Sequence, residues 1–414
     1  MAATYIFLTL VLLKAFNAQH SNEPTHIIRF ASHRNVTAGD KLIMQQYKKY
    51  QTSLHTGAVL ASGPDTTSII APRNLTTISF GDNFNAVTGT FHSSFIEHLQ
   101  SHPDIEYVEK NQIYRATRRL PLYHQRMRRA LTSQKNPKNW GLARLSNKKK
   151  DEVNQYTYDS SAGEGVQVFI LDSGINVDHK EFGGRAILDA NFVQDESEED
   201  LGGHGTHVAG IIGGSTFGVS KNAELRSVKI LDKNGDGSTV NLLQALEHVG
   251  KYAKKGKSVI NLSLSGPKSK LVNDALSSTT KDYNIPIFVS AGNTADDSCN
   301  YSPSDNPDVF AVGATTRDDK VSLFSATGSC VRLYAPGQDI QSAWIGSKEN
   351  SMILDGTSMA NPHVVGIAAL LMARKSYKSP NDLYTALTDI ATKDELEFYD
   401  TSEKNSHNLL AHTG

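Results

Sequence analysis

Four polar residues lie at predicted junctions between strands and helices, and their types together suit acyl transfer. They are Asp172, His204, Asn293 and Ser358. A serine hydroxyl is a poor nucleophile until a neighbouring imidazole accepts its proton. The imidazole needs a carboxylate on its other nitrogen, and the oxyanion of the tetrahedral intermediate needs hydrogen-bond donors. The candidate donors are the Asn293 side-chain amide and the Ser358 backbone N–H.

Each of these residues also has a simpler explanation. An aspartate at a strand end often caps a turn, and a serine before a helix is usually an N-cap. The combination is more specific than its parts, because the chain order Asp, His, Ser differs from the orders in α/β-hydrolases and in chymotrypsin. Ser358 also lacks the second glycine of Gly-x-Ser-x-Gly, which counts against a lipase or esterase.

The elements that must position these residues alternate between strand and helix from about residue 130 onward. A helical stretch at 241–255 and an apolar helix at 364–373, after Ser358, lie among the strand patterns. The strand patterns span residues 166–171, 224–231, 258–264, 285–290 and 309–314. We therefore predict an α/β fold with a parallel sheet flanked by helices, whose functional loops follow the carboxyl ends of the strands.

Composition narrows the class of protein. The chain has 414 residues, 42 basic and 43 acidic side chains, and a formal net charge of −1. This balance gives no general attraction to nucleic acid or to anionic membranes, so we expect neither as a partner. Two cysteines exclude a disulfide-dense scaffold and a four-thiolate zinc site. The length suggests two or three domains of about 150 residues each.

The N-terminal segment has the features of a secretory signal. An apolar run at residues 5–13 is too short to span a bilayer but suits the core of a signal peptide over residues 1–18. The alternative is a buried N-terminal helix or strand. Four glycosylation sequons are compatible with a secreted glycoprotein, and they begin at Asn35, Asn74, Asn261 and Asn300.

Residues 19–116 form a predicted first domain of small α+β type. Its end combines a helical pattern at 91–99 with a strand pattern at 102–109. A basic linker at 117–129 follows and ends in Arg-x-Arg-Arg. In a secreted chain this motif predicts cleavage between Arg129 and Ala130, although such a run is often only a solvated linker. The remaining residues, 130–414, would then form the catalytic domain.

The motifs around the four polar residues resemble those of subtilisin-like serine peptidases (subtilases), and most of all the proteinase K group. The matching segments are Val168–Ile175, His204–Gly210, Ser290–Asn293 and Gly356–Ala360, with Asn139–Ser146 resembling the start of mature enzymes. The resemblance implies Asp172, His204 and Ser358 as the catalytic triad, with Asn293 as the oxyanion donor. It covers roughly residues 130–391.

The first domain resembles the inhibitory propeptide of the same family. Residues 84–91 and 102–109 carry this resemblance. It implies an intramolecular inhibitor that covers the catalytic domain and lays its C-terminal tail into the cleft. The alternative is an unrelated N-terminal domain. The sequence Ala130-Leu-Thr-Ser-Gln resembles the N-terminus of mature relatives, in agreement with cleavage after Arg129.

An extended polypeptide substrate is best held by adding a strand to exposed sheet edges. By resemblance, two edges and the wall of the first specificity pocket contact the substrate, and the wall implies tolerance of apolar or aromatic side chains. Ser265 stands where the family usually has glycine, so the shape of the pocket is an open question. The implied substrate-binding residues are Gly235, Asp236, Gly237, Ser263, Leu264, Ser265, Gly266, Ser290, Ala291 and Gly292.

The resemblance also bears on cysteines and calcium. It implies a disulfide between Cys299 and Cys330, with two separate buried thiols as the alternative.

Relatives often bind calcium with an acid where Arg332 stands, together with carbonyls that match Pro307 and Val309. A guanidinium cannot ligate a cation. At the position of a second calcium site of relatives, Lys148 stands in place of a threonine ligand, although Asp389 matches the carboxylate ligand. We expect no cofactor in catalysis and weak calcium dependence or none.

These inferences together predict a secreted, monomeric serine endopeptidase that is made as an inactive precursor. Broad specificity with an apolar or aromatic preference is expected. Two alternatives remain at this point. One is a processing peptidase of narrow specificity, and the other is a non-catalytic member of the fold that acts as a binding protein.

Overall fold

The computed structural model describes residues 23–31, 39–57, 71–118, 134–150, 154–399 and 406–414. These residues form two units, and the boundary falls between Asn111 and Gln112. This boundary precedes the predicted domain end at residue 116, because the strand Ile113–Ala116 pairs with strands of the second unit. The predicted signal peptide, the sequon at Asn35 and the Arg129–Ala130 bond lie outside the described residues and stay predictions.

The first unit is an α+β module with an antiparallel four-stranded sheet in the order β2-β3-β1-β4. Its helices and strands share one apolar core, in which Phe30 of β1, Val87 of β3 and Phe95 of α2 are buried. The elements are β1 (His26–Phe30), α1 (Gly39–Gly57), β2 (Arg73–Phe80), β3 (Phe84–Thr90), α2 (Ser93–Gln100) and β4 (Ile105–Lys110).

The second unit contains a nine-stranded sheet with helices interspersed along the chain. Its strands and those of the smaller sheets are β5 (Ile113–Ala116), β6 (Gln134–Lys135), β7 (Gln155–Tyr156), β8 (Gln167–Asp172), β9 (Ala186–Asn191), β10 (Glu224–Lys229), β11 (Asp236–Ser238), β12 (Ser258–Leu262), β13 (Leu264–Pro267), β14 (Ile287–Ser290), β15 (Tyr301–Ser302), β16 (Phe310–Thr315), β17 (Val331–Pro336), β18 (Ile340–Ala343), β19 (Ser351–Leu354), β20 (Thr392–Lys393) and β21 (Leu409–Leu410). Its helices are α3 (Trp140–Ser146), α4 (His204–Gly213), α5 (Thr239–Tyr252), α6 (Lys270–Asp282), α7 (Thr357–Arg374) and α8 (Pro380–Ile390).

The large sheet confirms the predicted fold class. Its order is β20-β21-β17-β16-β14-β12-β8-β10-β9, and every neighbouring pair is parallel except β20 with β21. All six residues of β8 and all six of β16 are buried, as expected for parallel strands covered on both faces. After β8 the chain forms the edge strand β9, returns to place β10 between β9 and β8, and then adds β12, β14, β16 and β17 on the other side of β8. The β8–β12 boundary is therefore a topological switch point, where sites form beyond the carboxyl ends of strands.

The predicted single strand at 258–264 is in fact two strands. Residues 258–262 form β12 of the large sheet, whereas Leu264 begins β13, which pairs with β5 and β15 instead. The chain therefore leaves the large sheet at Ser263. This departure places the Ser263 carbonyl and the β13 edge beyond the carboxyl end of β12.

Helix α7 begins earlier than its apolar pattern predicts, at Thr357 rather than Val364. Ser358 therefore lies in the first helical turn. Pro362 has no N–H to bond the Ser358 carbonyl four residues back, and the Ser263 hydroxyl donates to that carbonyl at 3.3 Å instead. This replacement lets the helix continue through the proline, and most of the helix is buried.

The structure contains the disulfide expected between Cys299 and Cys330.

Among the predicted glycosylation sequons, Asn261 is fully buried and its side-chain amide donates to the Ser263 hydroxyl at 3.1 Å. Asn74 and Asn300 are exposed. None of the helices in the described ranges is long and apolar enough to cross a membrane.

Candidate active site

The end of β8 and the start of α4 bring a carboxylate and an imidazole together. Asp172 is the last residue of β8, and its Oδ1 accepts hydrogen bonds from His204 Nδ1 at 2.7 Å and from the Ser173 N–H at 2.8 Å. Both side chains of the pair are fully buried. Because a carboxylate can only accept, Nδ1 carries the proton and Nε2 is the nitrogen that can accept another. His204 Nε2 has no hydrogen-bond partner among the described residues.

Asp200, which the sequence analysis missed, holds the loop that carries His204. Its Oδ1 accepts from the Ser173 hydroxyl at 2.8 Å and from the Gly203 N–H at 2.7 Å. Its Oδ2 accepts from the N–H and the hydroxyl of Thr206 at 2.9 Å and 2.6 Å. The carboxylate therefore links the end of β8 to the first turn of α4. An acid just before an apolar helix was the available signal, since anions are favoured at helix N-termini.

Ser358 reaches the same region from α7, a helix that packs against α4. Its hydroxyl donates to the Ser263 carbonyl at 2.9 Å and makes a short contact with the hydroxyl of Thr117. Ser358 is fully buried. In the described part of the chain, the structure thus joins the predicted nucleophile to a backbone carbonyl and to Thr117 rather than to His204.

Asn293, which follows β14, is held in one orientation by the start of α7. Its side-chain oxygen accepts from both the N–H and the hydroxyl of Thr357 at 2.9 Å. A Cβ on Gly356 would lie 2.3 Å from the Thr117 carbonyl oxygen and 3.2 Å from Asn293 Nδ2, so these two atoms line the same space. Gly356 has a φ of 151°, and only a glycine leaves that space open. The Ser358 N–H donates to the same Thr117 oxygen at 3.4 Å.

The two predicted substrate edges hold β5 between them as an antiparallel strand. The Gly235 carbonyl also accepts from the Ala116 N–H at 3.0 Å. The paired residues are Ile113 with Ser238, Tyr114 with Gly237, Arg115 with Asp236 and with Ser265, and Ala116 with Leu264. The edges therefore bind a peptide strand of this same chain through its backbone, in the manner of β-augmentation.

The predicted pocket wall lies beside Thr117. The Thr117 hydroxyl donates to the Ser290 hydroxyl at 2.9 Å, which in turn donates to the Leu264 carbonyl at 3.1 Å. A Cβ on Gly292 would lie 3.6 Å from the Ser265 hydroxyl, so the serine that replaces the usual glycine faces this wall.

A cavity of about 940 Å³ borders β5 on the side of Ser265, Asn293 and Thr294. Ala291, the remaining residue of the predicted wall, is fully buried.

Tyr114 and Thr117 were missed as site residues because the sequence analysis assigned them to the propeptide and the linker. Tyr114 is 1% exposed, and its hydroxyl donates to the Pro267 carbonyl at 3.2 Å. Its ring packs so closely on Gly266 that a Cβ there would lie 2.5 Å away. The usable signal was the continuation of strand-like residues from 112 to 117 after the predicted strand at 102–109.

The position implied for a calcium ion contains a cation of the chain itself. Arg332 Nη2 donates to the Pro307 carbonyl at 2.8 Å, which is one of the carbonyls that the resemblance implies as calcium ligands. The residues present do not fit calcium at this position, because the guanidinium already bonds the carbonyl and cannot ligate a cation. The described ranges contain no group of three or more His, Cys, Asp or Glu side chains arranged to hold a metal.

The model of the subtilase family matches residues 163–409, and the model of the peptidase inhibitor I9 family matches residues 25–117. The second match ends at Thr117, the residue beside Ser358.

Relatives that are similar to this chain in sequence occur in several fungi. "Subtilisin-like protease 2" of Pseudogymnoascus destructans is 42% identical over 275 residues, covering 66% of this chain and 67% of the relative. "Subtilase-type proteinase psp3" of Schizosaccharomyces pombe is 38% identical over 341 residues, covering 81% and 71%. "Alkaline protease 1" of Emericella nidulans is 38% identical over 338 residues, covering 80% and 78%.

A solved structure shares the fold. The crystal structure of a cold-adapted subtilisin-like serine proteinase superposes with a TM-score of 0.62 at 35% identity, and the match covers 66% of this chain and 98% of that chain. The subtilase-family match, residues 163–409, spans more than half of the chain. The chain therefore belongs to the subtilase family, as a serine endopeptidase that carries an N-terminal I9 inhibitor domain.

Proposed function

We propose that the chain is a secreted serine endopeptidase, made as an inactive precursor, in which Asp172, His204 and Ser358 form the triad and Asn293 is an oxyanion donor. The observation that carries the proposal is the hydrogen bond from the Ser358 N–H to a peptide carbonyl, the one on Thr117. It supports a role for this amide in holding the oxygen of a scissile bond. The 2.7 Å bond between Asp172 and His204 supports the assignment of the base.

The proposed reaction follows from these contacts. Ser358 Oγ turns from the Ser263 carbonyl to His204 Nε2, which takes its proton as the oxygen attacks the substrate carbonyl. The Ser358 N–H and Asn293 Nδ2 then receive the developing negative charge. His204 gives the proton to the leaving amine, and water hydrolyses the acyl-serine by the same proton transfers. Asp172 holds the imidazole in the required tautomer throughout.

The proposed substrates are polypeptides bound as an extended strand between β11 and β13. Contacts to backbone groups accept many sequences, which supports broad specificity. The cavity that borders Thr117 has room for a substrate side chain larger than threonine. The apolar or aromatic preference is proposed from the family resemblance of the pocket wall. A digest of a peptide library tests this choice, since a single required residue would indicate a processing peptidase of narrow specificity.

Secretion, the monomeric state and independence from cofactors belong to the same proposal. The disulfide supports an oxidising compartment, because such bonds rarely persist in the cytosol. The bond between Arg332 and the Pro307 carbonyl supports weak calcium dependence or none, since the cation of the side chain already lies at that position.

Labelling with a fluorophosphonate probe tests the assignment of the nucleophile. The Ser358→Ala variant should lose both the label and peptide hydrolysis, the latter by a factor of about 10⁶. Ser347→Ala, which removes an exposed hydroxyl, is the matched control and should retain both. Hydrolysis that persists in Ser358→Ala, with the label on another residue, would exclude Ser358 from this role.

A further inference from the structure

Strand β5 lies between the two edges to which the proposed substrates would bind, so its pairing shows which edge residue faces each position of a bound strand. Arg115 of β5 pairs with Asp236 of β11. Two residues further on, the Thr117 carbonyl accepts from the Ser358 N–H at 3.4 Å. A substrate strand in the same register would therefore place the third residue before its cleaved bond opposite Asp236.

At this position the edge contacts a side chain as well as the backbone. Arg115 Nε donates to Asp236 Oδ1 at 2.9 Å, which makes an ion pair. The Asp236 side chain is 21% exposed, whereas that of Arg115 is 67% exposed. The acid is thus held in the wall of the cleft, and the cation reaches it from the solvent side.

The loop that leads into β11 contains a second acid, but that carboxylate is bound within the loop. Asp232 Oδ1 accepts from the N–H of Asn234 at 2.8 Å and from the N–H of Asp236 at 2.9 Å. Its Oδ2 accepts from Asn234 Nδ2 at 3.1 Å. These bonds hold the turn that precedes β11. Asp236 is therefore the acid of this loop that is paired with a side chain of the bound strand.

The opposite edge adds no charge at this position. Strand β13 has the sequence Leu-Ser-Gly-Pro, and its neutral residue Ser265 pairs with Arg115. The first charged residue after β13 is Lys268, which forms an ion pair with Asp305 at 3.5 Å. The charged contact at this position of the strand is therefore the one with Asp236.

We infer that Asp236 is a specificity-determining residue that favours substrates with a basic side chain at the third position before the cleaved bond. This inference rests on the proposed function and names a substrate class for the same site. An ion pair with an exposed member stabilises a complex only weakly. A basic residue is therefore favoured and not required, which is compatible with broad specificity.

The test compares hydrolysis of three acetylated peptides by the active protease. Each peptide is Tyr-X-Ala-Phe with an aminocoumarin leaving group, and X is Arg, Gln or Glu. Fluorescence reports the bond after Phe, so X is the third residue before the cut. We expect kcat/KM to be about two- to fivefold higher for Arg than for Gln, and lower again for Glu. The difference should lie in KM, because the contact is remote from the reacting atoms. About 1 M NaCl should remove it by screening the exposed charges.

Variants of Asp236 identify the residue that causes the preference. Asp236→Asn should bring the Arg and Gln peptides to equal kcat/KM, whereas Asp236→Glu, which keeps a carboxylate, should still favour Arg. The readout is the ratio between peptides, so a general loss of activity cancels. Asp178→Asn removes the same charge from an exposed ion pair with Lys348 and should leave the ratio at its wild-type value.

Two results would overturn the inference and leave the proposed function intact. One is equal kcat/KM for the three peptides with the wild-type protease, and the other is a preference for Arg that persists in Asp236→Asn. A wild-type protease that hydrolyses none of the three peptides would instead overturn the proposed function, and the inference with it.

Discussion

At the residue scale, the proposed site contains side chains whose own hydrogen bonds fix the orientation of a neighbouring group. Thr357 is such a residue, because it occupies the amide oxygen of Asn293 with two donors and thereby orients the NH₂ group of that amide. Asp200 acts in the same way on His204 through the turn that it binds. In both cases, the orientation is set before the substrate arrives, so little reorganisation is required during the reaction.

Replacing Asn293 by leucine should therefore lower kcat by about 10²–10³ while KM changes little, because the lost donor acts mainly on the oxyanion. Steady-state kinetics on a peptide substrate measures both constants. Thr357→Val, which removes only one of the two bonds that orient the amide, is the matched control and should show a smaller loss. An unchanged kcat in Asn293→Leu would remove Asn293 from the proposed role.

At the element scale, α4 and α7 each carry a proposed catalytic residue in the first turn and a fully buried histidine further along. On α7, His363 donates from Nδ1 to the Met359 carbonyl at 2.8 Å and accepts from Asn139 Nδ2 at 2.9 Å. On α4, His207 donates from Nε2 to the Met352 carbonyl at 3.0 Å. Burial lowers the pKa of His363 to about 4 and that of His207 to about 3.

These two histidines should make the second unit lose stability in acid. Unfolding exposes both imidazoles, whose pKa then returns to about 6.5, so the unfolded state binds more protons at lower pH. The stabilisation is complete above pH 6.5 and decreases as the pH falls toward about 4 for His363 and about 3 for His207. Within that window, each histidine contributes a slope of about 1.4 kcal/mol per pH unit.

Urea unfolding of the Ser358→Ala precursor, which cannot digest itself, measures this dependence between pH 7 and pH 5. We expect the free energy of unfolding to fall across that interval. His363→Gln should reduce the slope, because glutamine does not titrate. A free energy that stays constant between pH 7 and pH 5 in the Ser358→Ala protein would contradict the role given to the two histidines.

At the scale of the whole molecule, the two units differ in the size of their largest apolar cores, and a disulfide crosslinks two parts of the second unit. The second unit has the larger core, built around β8, α4 and α7. The link between Cys299 and Cys330 joins the region after β14 to the start of β17. It closes a loop with a separation of 31 residues, which restricts the unfolded chain more than the folded one.

Replacing both cysteines by serine should lower the free energy of unfolding by about 3–4 kcal/mol through the loss of this restriction. The measurement is denaturant unfolding in the Ser358→Ala background. Treating the parent protein with a reductant under the same conditions is the control and should reproduce the loss. Equal stability of the oxidised and reduced proteins would show that the bond does not restrain the unfolded chain.

Much of the fold could be predicted from the sequence, because strand and helix patterns reflect which side chains are buried locally. The five apolar runs all contain strands of the large sheet, and the stretch at 241–255 largely coincides with α5. The two errors of extent, at Ser263 and at the start of α7, lie at one tertiary contact. The Ser263 hydroxyl donates to the Ser358 carbonyl, which joins residues 95 positions apart.

The sequence by itself determined the residue types of the site and the elements that carry them, since both are local properties of the chain. Only the tertiary structure decided what those residues contact. Thr117 and Ser358 are 241 positions apart, and their meeting depends on the register of β5 between two edges and on the direction of α7. Such a contact is set by the packing of the whole unit, and no local pattern of burial encodes it.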